Sequence, residues 1–115
     1  MARNLTTTQQ INNYVQAVIQ AANHHAPNVS SVISMLEREV LNKLNLGPDT
    51  VKVYERNGQI ARTCWITLNG SRYVFTYNYN SHKIDLKTKG LQGNLIADFD
   101  NSSSNSAIIR IIQGL

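Results

Sequence analysis

Apolar residues first recur at helical spacing. Ile11, Tyr14, Val15, Val18, Ile19 and Ala22 fall on one stripe, because residues three and four apart share a helix face. Thr6, Thr7 or Thr8 can cap its start, with Gln9 or Gln10 completing a capping box. His24, His25 and Pro27 close it, since Pro lacks an N–H and restricts the residue before it. A second stripe, Val29, Val32, Ile33, Leu36, Val40 and Leu44, predicts another helix, widened on one side by Met35 and Leu41. Asn28 or Ser30 can cap it and Gly47-Pro48 stops it. The short link makes the two helices an antiparallel hairpin.

From Thr50 the apolar period changes from 3.6 to 2, predicting strands at about 51–56, 59–68, 71–79 and 83–88. Asn57-Gly58 and Asn69-Gly70 are hairpin signals, because type I′ turns need positive φ at both central residues. Two-residue turns there pair Arg56 with Gln59, Val53 with Arg62, Leu68 with Ser71, Ile66 with Tyr73 and Cys64 with Phe75. A turn at Ser81-His82 pairs Tyr79 with Ile84. One face then collects Val51, Val53, Ile66, Leu68, Phe75 and Leu86, together with Glu55, Arg62, Tyr73, Tyr77 and Tyr79. That is the core side, and the helical hairpin is its cover. Leu95–Phe99 can add a fifth strand, and residues 107–112 form either a short helix capped by Ser106 or a buried strand. The expectation is an α+β domain spanning residues 1–115. Two antiparallel N-terminal helices pack on one face of a four- or five-stranded antiparallel meander, followed by a short C-terminal element.

Composition narrows the class. A chain of 115 residues with 42% hydrophobic residues suits one domain with a real core. Cys64 is the only cysteine, which excludes a disulfide framework or thiolate cluster. No apolar run approaches the roughly 20 residues of a membrane span, and residues 1–10 lack a signal-peptide core. A soluble, cytoplasmic protein of bacterial or phage-like style is expected. The net charge of +4 is concentrated in residues 51–89, where seven Lys and Arg face only Glu55 and Asp85. That asymmetry can steer an anionic partner.

Most of those cations share the outer sheet face. Lys52, Arg56, Arg72, Lys83 and Lys87 lie there with Asp85, and Trp65 and Tyr54 lie among them. Cations meeting phosphates while bases stack on rings is how sheet modules hold single-stranded nucleic acid. The alternative is that the tail isoleucines cover Trp65 and Val74, making half that face a second small core. On the inner face Arg62 and Glu55 lie one diagonal apart, and with Tyr73 and Tyr77 they suggest a polar pocket beneath the helices. Metal and cofactor sites are not expected: His24, His25 and His82 have no acid or thiol at ligand spacing. Asp98-Phe99-Asp100-Asn101 resembles a calcium-loop fragment but lacks its Gly and closing Glu. Catalysis needs a nucleophile with a base or paired carboxylates, and none stands out. The expected function is a small non-enzymatic binding module, for nucleic acid first. Protein interaction or homo-oligomerisation through the isoleucine tail or a sheet edge comes second, and small-ligand binding between sheet and helices third.

Overall fold

Thr7 starts the first helix as its position in the Thr run allows. Its side-chain oxygen accepts from the Gln10 N–H at 3.1 Å, and the Gln10 side chain accepts from the Thr6 N–H at 2.7 Å. Two otherwise unpaired donors are satisfied in this way. The structure, a computed structural model, describes residues 2–54 and 63–115. Its order is β1 (Ala2–Asn4), α1 (Thr8–His25), a 3₁₀ turn (Pro27–Val29), α2 (Val32–Lys43), β2 (Thr50–Tyr54) and β3 (Thr63–Leu68). There follow β4 (Ser71–Asn78), β5 (Lys83–Thr88), β6 (Leu95–Phe99) and α3 (Asn105–Gln113). The strands form one antiparallel sheet in chain order. The architecture is α+β, with one strand more than the predicted meander. The added β1 is polar and carries no alternation. It pairs along β2, and Leu5 behind it is buried with Val51 and Val53.

Face assignments agree with the period-2 pattern, while two of the three registers differ. Asn69 and Gly70 take φ of 50° and 84°, as a type I′ turn requires, and Leu68 pairs with Ser71 as expected. Between β2 and β3, however, Val53 pairs with Cys64 rather than Arg62. The Asn57-Gly58 turn itself lies outside the described residues. Between β4 and β5, Ile84 pairs with Tyr77 rather than Tyr79. The Asn78 side-chain oxygen accepts from the N–H groups of Asn80 and Ser81, and His82 takes φ of 58°. A longer loop built on an Asx turn replaces the two-residue one. Both displacements are of two residues, which leaves every side chain on its own face.

Cap placement also moves. Asn28 and Ser30 do not cap α2; Asn101, far along the chain, does. Its side-chain oxygen accepts from the N–H groups of Ser31 and Val32 at 2.9 and 3.0 Å, and its amide donates to the Pro27 carbonyl at 2.7 Å. Asn101→Ala removes a cap and an anchor together, so unfolding free energy should fall by about 1–2 kcal/mol. Asp should retain part of this, since it keeps the acceptor and loses the donor; chemical denaturation of both variants checks it. Asp100 accepts from the Ser102 N–H at 2.9 Å, so the calcium-like fragment serves as turn closure.

The tail is a helix, capped by Ser104 rather than Ser106: the Ser104 side chain accepts from the Ala107 N–H. Ile108 and Ile112 are buried in one cluster with Val32, Leu36 and Val40 of α2 and with Leu86 and Phe99 of the sheet. Gln113 donates to the backbone carbonyl and carboxylate of Glu39, and Lys43 donates to the Gln113 carbonyl. All three helices therefore cover the inner face, and the tail isoleucines do not lie over Trp65 and Val74. Asp49 ties the α2–β2 link to the β3–β4 turn, its carboxylate accepting from the N–H groups of Asn45 and Asn69 at 2.8 Å each. These bonds hold its carboxyl below the usual range.

Candidate functional site

The inner face is packed in two clusters rather than one. Leu5, Ile11 and Tyr14 close over Val51 and Val53 at one end, while α2 and α3 close over Ile66, Leu86 and Phe99 at the other. Between them α1 offers short side chains, Val15, Val18, Ala21 and Ala22, and β3 offers Cys64. The short side chains of α1 leave space. A cleft of about 640 Å³ opens there, floored by Ile66, Phe75 and Ile84 and walled by α1 and α2. Close-packed interiors carry few voids larger than a water molecule, and ligand sites span roughly 300–1,000 Å³. The cleft has a volume within the second range.

Few polar groups reach it. Glu37 of α2 lies among the lining residues, and the Asn12 side-chain amide of α1 donates to its two oxygens at 3.3 and 3.4 Å. Burial pushes the Glu37 carboxyl above its ordinary value, only partly offset by Asn12. His25 lines the cleft from α1, and Tyr77 and Tyr79 from β4 and its loop. The Tyr77 hydroxyl meets His82 Nδ1 at 3.3 Å, and the two tyrosine rings stand edge to face at 5.0 Å. Burial pushes the Cys64 thiol up to about 12, so it stays a thiol and a poor nucleophile near neutral pH.

Of the residues expected at an inner pocket, Tyr77 is there. Tyr73 is not: it sits at the far end of β4, paired with Ile66 and Thr88 and packed against the main cluster. Arg62 and Glu55 lie outside the described residues. Glu37 carried a signal that the sequence reading passed over. It continues the i, i+4 ridge Val29–Ile33–Glu37–Leu41, a carboxylate where the pattern calls for an apolar residue.

Glu37 binds its proton more tightly in the folded chain than in the unfolded one. The folded state therefore gains in acid, and that gain is lost as pH rises through the raised value. Glu37→Gln keeps an acceptor for Asn12 and removes the desolvated charge. The variant's Tm relative to the original chain should rise between pH 4 and pH 7. A difference that stays flat across that window would refute the burial of this carboxyl.

The outer face is only partly open, with Trp65 half-buried, and it is less basic than its sequence suggested. Tyr54 is 45% exposed and stands edge to face on Trp65 at 4.9 Å. Lys52 and Val74 flank Trp65 across the strands, with Lys87 beyond Val74. Val74 is fully buried although it lies outside both inner clusters. Asp85 is not the only acid there, since Asp98 pairs with it across β5 and β6. Asp98 lies 3.8 Å from the Lys83 ammonium, and buried Asp85 accepts from the Asn78 amide at 3.0 Å. Lys87 donates to the Leu91 carbonyl. Arg72 is exposed at the end of this face, and Arg56 lies outside the described residues. Among the described residues no group of His, Cys, Asp and Glu could hold a metal ion. Nor is any described helix long and apolar enough to cross a membrane.

Fold and site together define a class: an α+β domain with three helices on one face of a six-stranded antiparallel sheet and an apolar cleft between α1, α2 and the sheet. The family model described as "Integron cassette protein VCH_CASS1 chain" matches residues 11–110. The chain belongs to that family, and the match runs from the first turn of α1 into α3. A comparison with curated proteins finds none that matches.

Proposed function

We propose that this protein is a small, non-enzymatic, cytoplasmic binding module, and that its ligand is a small apolar molecule held between α1, α2 and the sheet. The cleft carries this reading: about 640 Å³ of space lined mainly by Val, Ile, Ala and Phe, with a few polar groups to fix orientation. Burial keeps the Cys64 thiol of the cleft protonated, which favours binding over nucleophilic chemistry there. The test is a fluorescence titration with an uncharged aryl-naphthylamine dye. Saturable, blue-shifted emission with one site per chain supports the reading; emission unchanged from buffer would reject it.

A second reading has its own observation. Because α3 packs on the inner side, Tyr54 and Trp65 face outward uncovered by the tail, beside Lys52, with Arg72 at the margin. Single-stranded nucleic acid could stack there. Trp65→Ala should then weaken binding of a single-stranded oligonucleotide by roughly 5- to 100-fold, the loss of one stacked base. The measured affinity should also fall steeply with salt. A gel-shift series showing no retention at low salt would dispose of this reading. Protein interaction or self-association would draw on the sheet edges at β1 and β6 and on exposed Ile109 of the tail, since Ile108 and Ile112 are buried within the chain itself.

A further inference from the structure

A cleft formed only to take an apolar molecule has no use for a carboxylate. Glu37 is nonetheless the one acidic side chain among the described residues that line it. Its single described partner is the neutral Asn12 amide, at distances long for a bond to a charged acceptor. Among the described residues no Lys or Arg is paired with it. Burial already disfavours its charge, and a carboxylate in that position is stabilised by a cation that arrives with its own hydrogen-bond donors.

The imidazoles and the β4 tyrosines of the cleft stand apart from it, while Tyr14 lies on α1 two residues from Asn12. His25 lies on α1 some three and a half turns beyond Asn12, roughly 20 Å along the helix axis. Tyr77, Tyr79 and His82 gather where β4 ends. Most of the remaining described lining is apolar, Val15, Val18, Ile33, Ile66 and Phe75 among it. The cleft thus offers one negative acceptor followed by a hydrocarbon-like trough.

We propose that the cleft recognises organic cations, specifically a primary ammonium on an apolar tail, with the ammonium on Glu37 and the tail between α1 and the sheet. This rests on the cleft being a ligand site and adds the charge class of the ligand. An ammonium has three donors, enough to bind both Glu37 oxygens and the Asn12 side-chain oxygen together. The carboxylate of an anionic amphiphile in the same place meets like charge.

Three probes with one tail separate charge from greasiness: decylammonium, decanol and decanoate, each competed at pH 7 against the uncharged dye. Decylammonium is expected to bind roughly 10- to 100-fold more tightly than decanol, the contribution of hydrogen bonds to a charged group, and decanoate more weakly than decanol. Glu37→Gln should bring decylammonium down to the level of decanol while decanol changes less than about twofold. That decanol control reports directly that the variant is folded with its cleft open. Equal affinity of decylammonium and decanol for the original chain, or indifference of decylammonium to Glu37→Gln, overturns the cation proposal and leaves the cleft standing. If the dye binds and none of the three probes displaces it, the cation proposal falls on its own. If the dye itself does not bind, the cleft reading falls and takes the proposal with it.

Discussion

Ile112→Ala should lower the free energy of unfolding by about 2–5 kcal/mol, the range for truncating a fully buried aliphatic side chain. Ile112 is completely buried, together with Ile108, against α2, Leu86 and Phe99. The cavity left behind cannot easily close. α3 is held at its start by the Ser104 cap and at its end by Gln113 on Glu39 and Lys43 on Gln113. At nine residues, α3 is too short to be stable alone, so its helicity depends on this packing. A domain has only about 5–15 kcal/mol in total, so a single methylene-rich side chain at the tail decides much of whether the chain folds. Ile109, three residues before Ile112, is 42% exposed, and Ile109→Ala should stay within about 0.5 kcal/mol. Urea denaturation of the pair reads the contrast directly. Equal losses at both positions, with midpoints that depend on protein concentration, would show instead that the isoleucines face a second copy.

That contrast also shows what the sequence could and could not specify. Four isoleucines in a short run say that something must be buried, but not against which layer. The distinction between inner and outer face lies in contacts with Val32, Leu36 and Phe99, which are remote in the chain. The strand faces were legible for the opposite reason. Alternation is local, and residues such as Val51, Ile66, Phe75 and Leu86 report their side of the sheet without help. Register was legible only where turn chemistry dictated it. At Asn69-Gly70 the positive φ of both residues fixed the pairing, whereas at residues 79–82 the Asn78 side chain built a longer loop. A slip of two residues preserves every burial choice, so hydrophobic patterning is blind to it. The Asn101 clasp on the α2 start was invisible because no local spacing connects residues seventy apart. Of the four residues expected at an inner pocket, Tyr77 lines the cleft, Tyr73 does not, and Arg62 and Glu55 lie outside the described residues. The cleft's volume goes with short side chains on α1, and its carboxylate with a break in the α2 ridge at Glu37.

Filling the cleft is the sharper test of function, because it can abolish binding without touching the core. Ala21 lies on the cleft side of α1 and is only half-buried. A larger side chain there enters open space rather than overpacked interior. Ala21→Phe carries a helix-propensity penalty below about 0.7 kcal/mol, so Tm should move by no more than a few degrees. Its ring occupies the trough between Val18 and the sheet that an apolar ligand would take. Excluding three or four ligand methylenes at about 0.8 kcal/mol each weakens binding by roughly 100-fold. Titration with the uncharged dye measures this, and thermal unfolding of the same sample shows that the fold is retained. Trp65→Ala, on the opposite face of the sheet, should leave dye affinity unchanged, and Ala21→Phe should leave any oligonucleotide binding unchanged. A sheet is thin, yet its two faces share no side chains, so the two substitutions must act independently if each site is where the geometry puts it. Should Ala21→Phe bind the dye as tightly as the original chain, the ligand lies elsewhere and the space under α1 is only a gap in the packing.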